Sequence, residues 1–192
     1  MLYHHNAPMI IKDEFGVLVR ELSQGKRPRR EWSEEQWDSL ITTWRAELRA
    51  IPERETIMQI LCIIEHSRPP YPMECQALLL EGMRHKKIDH ELVVTQLGVS
   101  QKVIFVESYK RGEKVPGQVY ECLKELLHLE NAEVTEWVLR TLLEAGNEAA
   151  CMLEDLEQIK VSWFKRISRT HKQINILRNK LIERWENLPR IT

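Results

Sequence analysis

Apolar residues along this chain recur three and four positions apart in one segment after another, the spacing that lines one face of an α-helix. The first clear series is Trp37, Leu40, Ile41, Trp44, Leu48 and Ile51, a single stripe on an otherwise polar segment. Its start is written in EWSEEQWDSLITTW. Ser33 can cap the helix, Gln36 completes a capping box, and Trp32 and Trp37 occupy the positions of a hydrophobic staple. Glu34 and Glu35 suit the positive end of the helix dipole. Pro52 stops this helix or opens the next, whose inner face is Ile57, Ile60, Leu61 and Ile64.

The run SRPPYP, 67–72, is the strongest break in the chain. Beyond it, MECQALLLEGMRH predicts a further helix, and Asp89 is placed to cap a short one through Leu97. The stretch 100–111 is mixed, because Val103, Ile104, Phe105 and Val106 in a row favour a strand. A strand there would have only MII or VLV near the N-terminus to pair with, so a helix is expected. Pro116 begins another helix with Val119, Leu123, Leu126 and Leu127 inward. Asn131 caps the next, striped by Val134, Trp137, Val138, Leu142 and Ala145 and stopped by Gly146. From Glu148 to Trp185 there is neither Gly nor Pro, and the stripe Met152, Leu156, Ile159, Trp163, Ile167 continues as Ile174, Leu177, Leu181, Trp185. Thr170 with Gln173 repeats the capping-box spacing, so a break near Ser168 is expected in place of one long helix.

Composition narrows the class. With 192 residues the chain can bury a sizeable core, and its 7 glycines favour helices over hairpins. No run approaches the roughly 18 apolar residues of a membrane span, and MLYHHNAPMIIKDE lacks the layout of a signal peptide, so a cytoplasmic protein without a membrane span is expected. Cys62, Cys75, Cys122 and Cys151 are widely separated and contain no C-x-x-C, which points to reduced, mostly buried thiols. Phosphate-loop and dinucleotide fingerprints are missing, as is the G-x-S-x-G elbow, and RGEKVPG has the wrong spacing for a Walker loop. Glu125 and His128 make a lone E-x-x-H where a di-iron bundle needs two and further glutamates. The expectation is a non-enzymatic protein with no metal and no cofactor.

Charge supplies the remaining lead. From Glu113 to Glu157 eleven acidic residues face Lys114, Lys124 and Arg140, whereas from Lys160 to Thr192 nine basic residues face Glu183 and Glu186. On a wheel of about 100° per residue with Trp163 at the origin, the apolar positions of WFKRISRTHKQINILRNKLIERW fall within about 40° of it. Lys165, Arg166, Arg169, Lys172, Lys180 and Arg184 fall between about 180° and 300°. These six form a basic stripe, the candidate contact surface. It can meet nucleic-acid phosphates, dock an acidic protein (this chain's own 113–157 segment included), or stay solvated. The near-neutral net charge and the placement of Trp163 and Trp185 on the apolar side weigh against nucleic acid. A second basic run, GKRPRREW, sits in the linker before the first striped helix and reads as a solvated loop.

Successive helices of about 12 to 16 residues joined by short turns, with phrases such as YECLKELL and EWVLRTLLEAG, resemble the HEAT and armadillo helical repeats over roughly Trp32 to Gly146. The Trp, Gly and Tyr signature of tetratricopeptide repeats is not present. The resemblance implies an all-α fold, an α-α superhelix of stacked helical hairpins whose inner helices line a partner-binding groove. A compact irregular helical bundle is the alternative architecture. The expected organisation is an N-terminal arm and linker, 1–31, and a helical-repeat domain, 32–192, with basic C-terminal helices. The expected function is a protein-interaction scaffold or adaptor, with a nucleic-acid-binding helical-repeat protein as the other reading.

Overall fold

The computed structural model describes residues 9–85, 87–159 and 168–188. Every regular element among them is helical, and the one bridge of strand type is an isolated parallel pairing of Arg30 with Ser67. No described helix is long and apolar enough to cross a membrane. The chain divides into two compact units, with the boundary between Val103 and Ile104.

The first unit holds α1 (Met9–Ser23), α2 (Glu34–Arg49), α3 (Arg54–Glu65), α4 (Met73–Arg84) and α5 (His90–Ser100). The start of α2 is the capping box its sequence spells: Gln36 N donates to Ser33 Oγ at 3.3 Å and Ser33 N to Gln36 Oε1 at 3.0 Å. Trp32 and Trp37 close the staple with ring centroids 5.5 Å apart. Trp37, Leu40, Ile41, Trp44 and Leu48 are buried as one stripe. Ile51, expected to extend it, is 76 % exposed, because α2 ends at Arg49 and the helical period no longer applies. Short connections join α2 to α3 and α4 to α5, and the helices within each pair are in contact. Contacts also run from α2 to α4 and from α3 to α5. Asp89 Oδ1 caps α5 through Leu92 N at 2.9 Å.

The stretch expected as an arm carries α1, which packs on α3 and buries Ile11 and Leu18. The basic linker behind it is not simply solvated. Arg29 donates to the Glu65 carbonyl at the C-terminus of α3 (3.0 Å), and Arg30 bridges Glu14 and Glu21 at 2.7 Å each. Hydrogen bonding to Glu21 raises the Arg30 pKa, burial opposes it, and Glu14 adds to the rise.

The mixed segment is helical, with a twist the propensities did not give. Gln101–Val106 forms a π-helical segment between α5 and α6 (Glu107–Lys110). Val103, Ile104 and Phe105 are all buried, a run that an amphipathic α-helix with one exposed face does not accommodate. Lys102 lies in the same segment. Its Nζ donates to the carbonyls of Glu65 and Ser67, the latter at 2.8 Å, so it meets the negative end of α3.

The second unit holds α7 (Gly117–Leu127), α8 (Ala132–Ala145), a 3₁₀ segment (Gly146–Met152), α9 (Leu153–Gln158) and α10 (Arg169–Glu186). Asn131 Oδ1 caps α8 by accepting from Glu133 N and Val134 N. Gly146 ends it at φ 65°, a conformation that favours glycine. The segment 148–185 is not one helix, since α9 stops at Gln158 and Ile159 is extended. Ser168 stands at the N-cap of α10, as the expected break requires, but its side chain makes no cap bond, and the Thr170 and Gln173 box is not formed at that terminus. Ile174, Leu177, Leu181 and Trp185 of α10 are buried, and α10 packs chiefly on α8. Trp163 and Ile167 lie outside the described residues.

Candidate interaction surfaces

The predicted basic stripe lies on α10 as far as the described residues reach. Lys165 and Arg166 fall outside them. Arg169, Lys172, Lys180 and Arg184 are exposed, on the side away from Ile174, Leu177, Leu181 and Trp185. Three of the four share one character. Arg169, Lys172 and Lys180 have no ion-pair or hydrogen-bond partner among the described residues and span about 16 Å of helix axis at 1.5 Å per residue. Arg184 differs, for its Nε donates to Asn147 Oδ1 at 2.8 Å.

Among the described residues no carboxylate of the acidic segment pairs with this stripe, whose contact with that segment is the bond of Arg184 to Asn147. Asp155 takes Lys124 at 3.0 Å, Glu136 takes Arg140 at 2.6 Å, and Glu148 accepts from Val115 N at 3.3 Å. The α10 side chains that do dock use carbonyls. Arg178 donates to Leu156 O at 2.8 Å and Glu157 O at 3.3 Å, satisfying the C-terminal end of α9, and Trp185 Nε1 donates to Gly146 O at 3.0 Å.

Two details of α10 stand against helix-building preference. Its first turn contains no acidic residue, while Arg169 and Lys172 lie at that end. A helix N-terminus carries about half a positive charge, so cations there cost about 0.3–1 kcal/mol each. Within the basic arc, Ile176 is 60 % exposed, an aliphatic side chain with cations one turn away on either side at Lys172 and Lys180. On the helical wheel Ile176 falls within the arc of the basic residues.

A second surface lies in the first unit, where sequence reasoning named its parts and not their meeting. An open groove of about 570 Å³ runs between the chain entering α2 and the loop entering α4. The pairing of Arg30 with Ser67 aligns these two stretches: Arg30 N donates to His66 O at 3.0 Å and Arg68 N to Arg30 O at 2.7 Å. Arg68 Nη1 then reaches Glu31 Oε1 at 3.0 Å. Aromatic rings line the groove in sequence, Trp32 tilted against Trp37 and Tyr71 edge-on to Trp37 with centroids 6.0 Å apart. Tyr71 Oη donates to Ser67 O at 2.9 Å, and Lys102 Nζ stands 5.3 Å from its ring centroid.

Among the described residues neither surface contains a cluster of His, Cys, Asp and Glu that could hold a metal ion. Glu125 and His128, the lone E-x-x-H, are both exposed, and His128 merely follows the last turn of α7. None of the four cysteines is in a disulfide; Cys75 and Cys122 are buried, Cys62 half-buried and Cys151 exposed. Burial, with Glu74 adding, pushes the Cys75 thiol up to about 12, the direction of an unreactive thiol. Comparison with protein-family models, with curated proteins and with solved structures finds no match.

Proposed function

We propose that this protein is a non-enzymatic interaction scaffold or adaptor, a stack of helical hairpins that presents the basic face of α10 to an acidic protein partner. The observation that carries the reading is the N-terminal end of α10. Arg169 and Lys172 sit at the positive helix end with no acidic residue in the first turn and no side-chain cap bond at Ser168. Local stability favours the opposite charge there. Such a departure from local preference is expected where a surface serves binding. Ile176 between Lys172 and Lys180 adds an apolar contact that a carboxylate-bearing protein surface can cover and a phosphate backbone cannot use as well.

The stacked-hairpin part of the reading is supported by the contact pattern of the first unit. Helices of one pair touch each other, α2 with α3 and α4 with α5, and like members of successive pairs touch as well, α2 with α4 and α3 with α5. That is the neighbour relation of a helical repeat.

A nucleic-acid partner is the second reading, favoured by the exposed cations of Arg169, Lys172 and Lys180 along one face. Aromatic stacking does not help it on α10, because Trp185 is buried. A pull-down with and without nuclease separates the two, run with wild type and with Arg169→Glu, Lys172→Glu and Lys180→Glu combined. Partners captured after nuclease and lost in the variant are expected. Capture abolished by nuclease, or oligonucleotide binding that survives about 0.3 M salt, overturns the scaffold reading.

A further inference from the structure

We propose that the aromatic groove between the α2 and α4 entry segments binds an extended, arginine-bearing peptide segment of a partner protein. The proposal stands apart from the reading of α10, whose partner is of the opposite charge.

Charge decides the class of occupant. Glu31, Glu34, Asp38 and Glu74 line the groove, and Arg68 is the one cation among its described lining residues. Arg68 is engaged by Glu31, while Glu34, Asp38 and Glu74 have no cationic partner among the described residues. The N-termini of α2 and α4 open nearby and favour anions, with about half a positive charge each. Two such ends offset roughly one charge. Four carboxylates less one guanidinium leave a net −3, so the field stays negative.

Donor and acceptor count points the same way. Pro69, Pro70 and Pro72 contribute no N–H, and the Pro72 carbonyl already accepts from Cys75 N at 3.0 Å. The Tyr71 hydroxyl is committed to Ser67 O. The acceptors open to a ligand are thus the carboxylates of Glu34, Asp38 and Glu74, and the ligand that satisfies them brings donors.

The rings specify the donor further. A guanidinium stacks on an indole face while its N–H groups reach carboxylates at the edge, which a compact ammonium does less well. Tyr71 already has Lys102 near its ring, so the half-buried Trp32 offers the platform. The chain's own neighbouring arginines do not supply the cation, since Arg29 and Arg30 are bound to Glu65 O and to Glu14 and Glu21. An open groove lined by aromatic rings suits an extended chain, above all one in the polyproline II conformation. The two backbone hydrogen bonds between Arg30 and the 66–68 segment hold its walls in place before binding, which lowers the ordering cost.

The test uses the full chain and a fluorescein-labelled nonapeptide in which arginine alternates with proline, followed by anisotropy and by tryptophan fluorescence. Controls are the same peptide with citrulline and with glutamate in place of arginine. Saturable binding of the arginine peptide is expected, weakened by salt, with little binding of either control. Glu34→Gln, Asp38→Gln and Glu74→Gln combined should weaken it by about tenfold or more with only a modest drop in the thermal melt, because no ion pair among the described residues is broken and the loss is confined to the favourable first-turn positions of Glu34 and Glu74 in α2 and α4. Trp32→Phe should remove the fluorescence response and keep the affinity within a few-fold. No saturable binding, equal binding of the glutamate or citrulline peptide, or an unchanged affinity in the triple variant overturns the proposal. So does self-association in sedimentation that the triple variant abolishes and the peptide does not compete, since the occupant would then be a second copy of the chain.

Discussion

Arg30→Ala tests how the groove's first wall is anchored. The guanidinium sends one arm to Glu14 and the other to Glu21, 2.7 Å each, and ties the linker to α1. A charge-assisted hydrogen bond contributes about 1.5–3 kcal/mol when shielded, and an exposed ion pair about 0–1. Arg30 and Glu14 keep 26 % of their side-chain surface and Glu21 32 %, which places each arm between those limits. About 1 kcal/mol per arm gives a loss of about 2 kcal/mol for Arg30→Ala. Arg30→Lys should lose about half of that, because an ammonium on a flexible stem does not reproduce a planar fork aimed at two carboxylates.

The assay is a urea melt of each variant, paired with hydrogen exchange over α1 to localise the effect. Adding Glu14→Gln and Glu21→Gln to Arg30→Ala should cost nothing further, since the cation they serve is already gone. The difference from wild type should shrink at about 1 M salt, where the screening length falls to about 3 Å. A loss below about 0.5 kcal/mol, or additive losses from the glutamates, refutes the anchor.

In α2, Ser33→Ala should cost about 1 kcal/mol and Trp44→Ala about 3–5, while Ile51→Ala at its exposed position stays within about 0.5; equal losses at all three in denaturant melts would contradict the assigned buried face. At Gly82, an added Cβ would stand 2.0 Å from Gln96 Oε1, so Gly82→Ala should destabilise by about 1–3 kcal/mol and Gln96→Ala in the same background should relieve part of it. Gln96→Met alone should be neutral or stabilising in a thermal melt, because the buried carboxamide has no partner at either end among the described residues. Between pH 9 and about 12 the unfolded chain releases the Cys75 proton that the fold retains, so stability should fall as pH rises through that window; Cys75→Ala should flatten the dependence of Tm.

Local punctuation was the most legible part of the fold. Ser33 with Gln36, Asp89, Asn131 and Gly146 act where their side chains or backbone freedom dictate, because each effect is confined to a few neighbouring residues. The π-helical segment was not legible, since the burial of Val103, Ile104 and Phe105 is set by packing and not by period. Gln96 was likewise unreadable, for nothing in HELVVTQLGVS says that one of its polar residues is fully enclosed. The α10 surface could be drawn on a wheel because apolar and basic positions share one helix. The groove could not, because Trp32 and Trp37 meet Tyr71 only through the pairing of Arg30 with Ser67, a register set by tertiary structure.

The distribution of committed and uncommitted charge argues that the two surfaces differ from ordinary solvated polar faces. Arg29 and Lys102 terminate α3, Arg178 terminates α9, and Arg30 holds two glutamates. These cations complete backbone carbonyls or carboxylates that the fold would otherwise leave without a donor. Among the described residues Arg169, Lys172 and Lys180 complete nothing of the kind, and two of them stand where the helix dipole disfavours them. Glu34, by contrast, stands at the favourable end of α2, so its position alone requires no binding role. Glu34, Asp38 and Glu74 acquire significance only jointly, by surrounding aromatic rings and prolines that offer them no counter-charge. Reversing a cation of α10 should therefore leave stability unchanged or raise it, whereas neutralising the groove carboxylates should cost no more than the first-turn contributions of Glu34 and Glu74, about 0.3–1 kcal/mol each, and change chiefly what the groove holds.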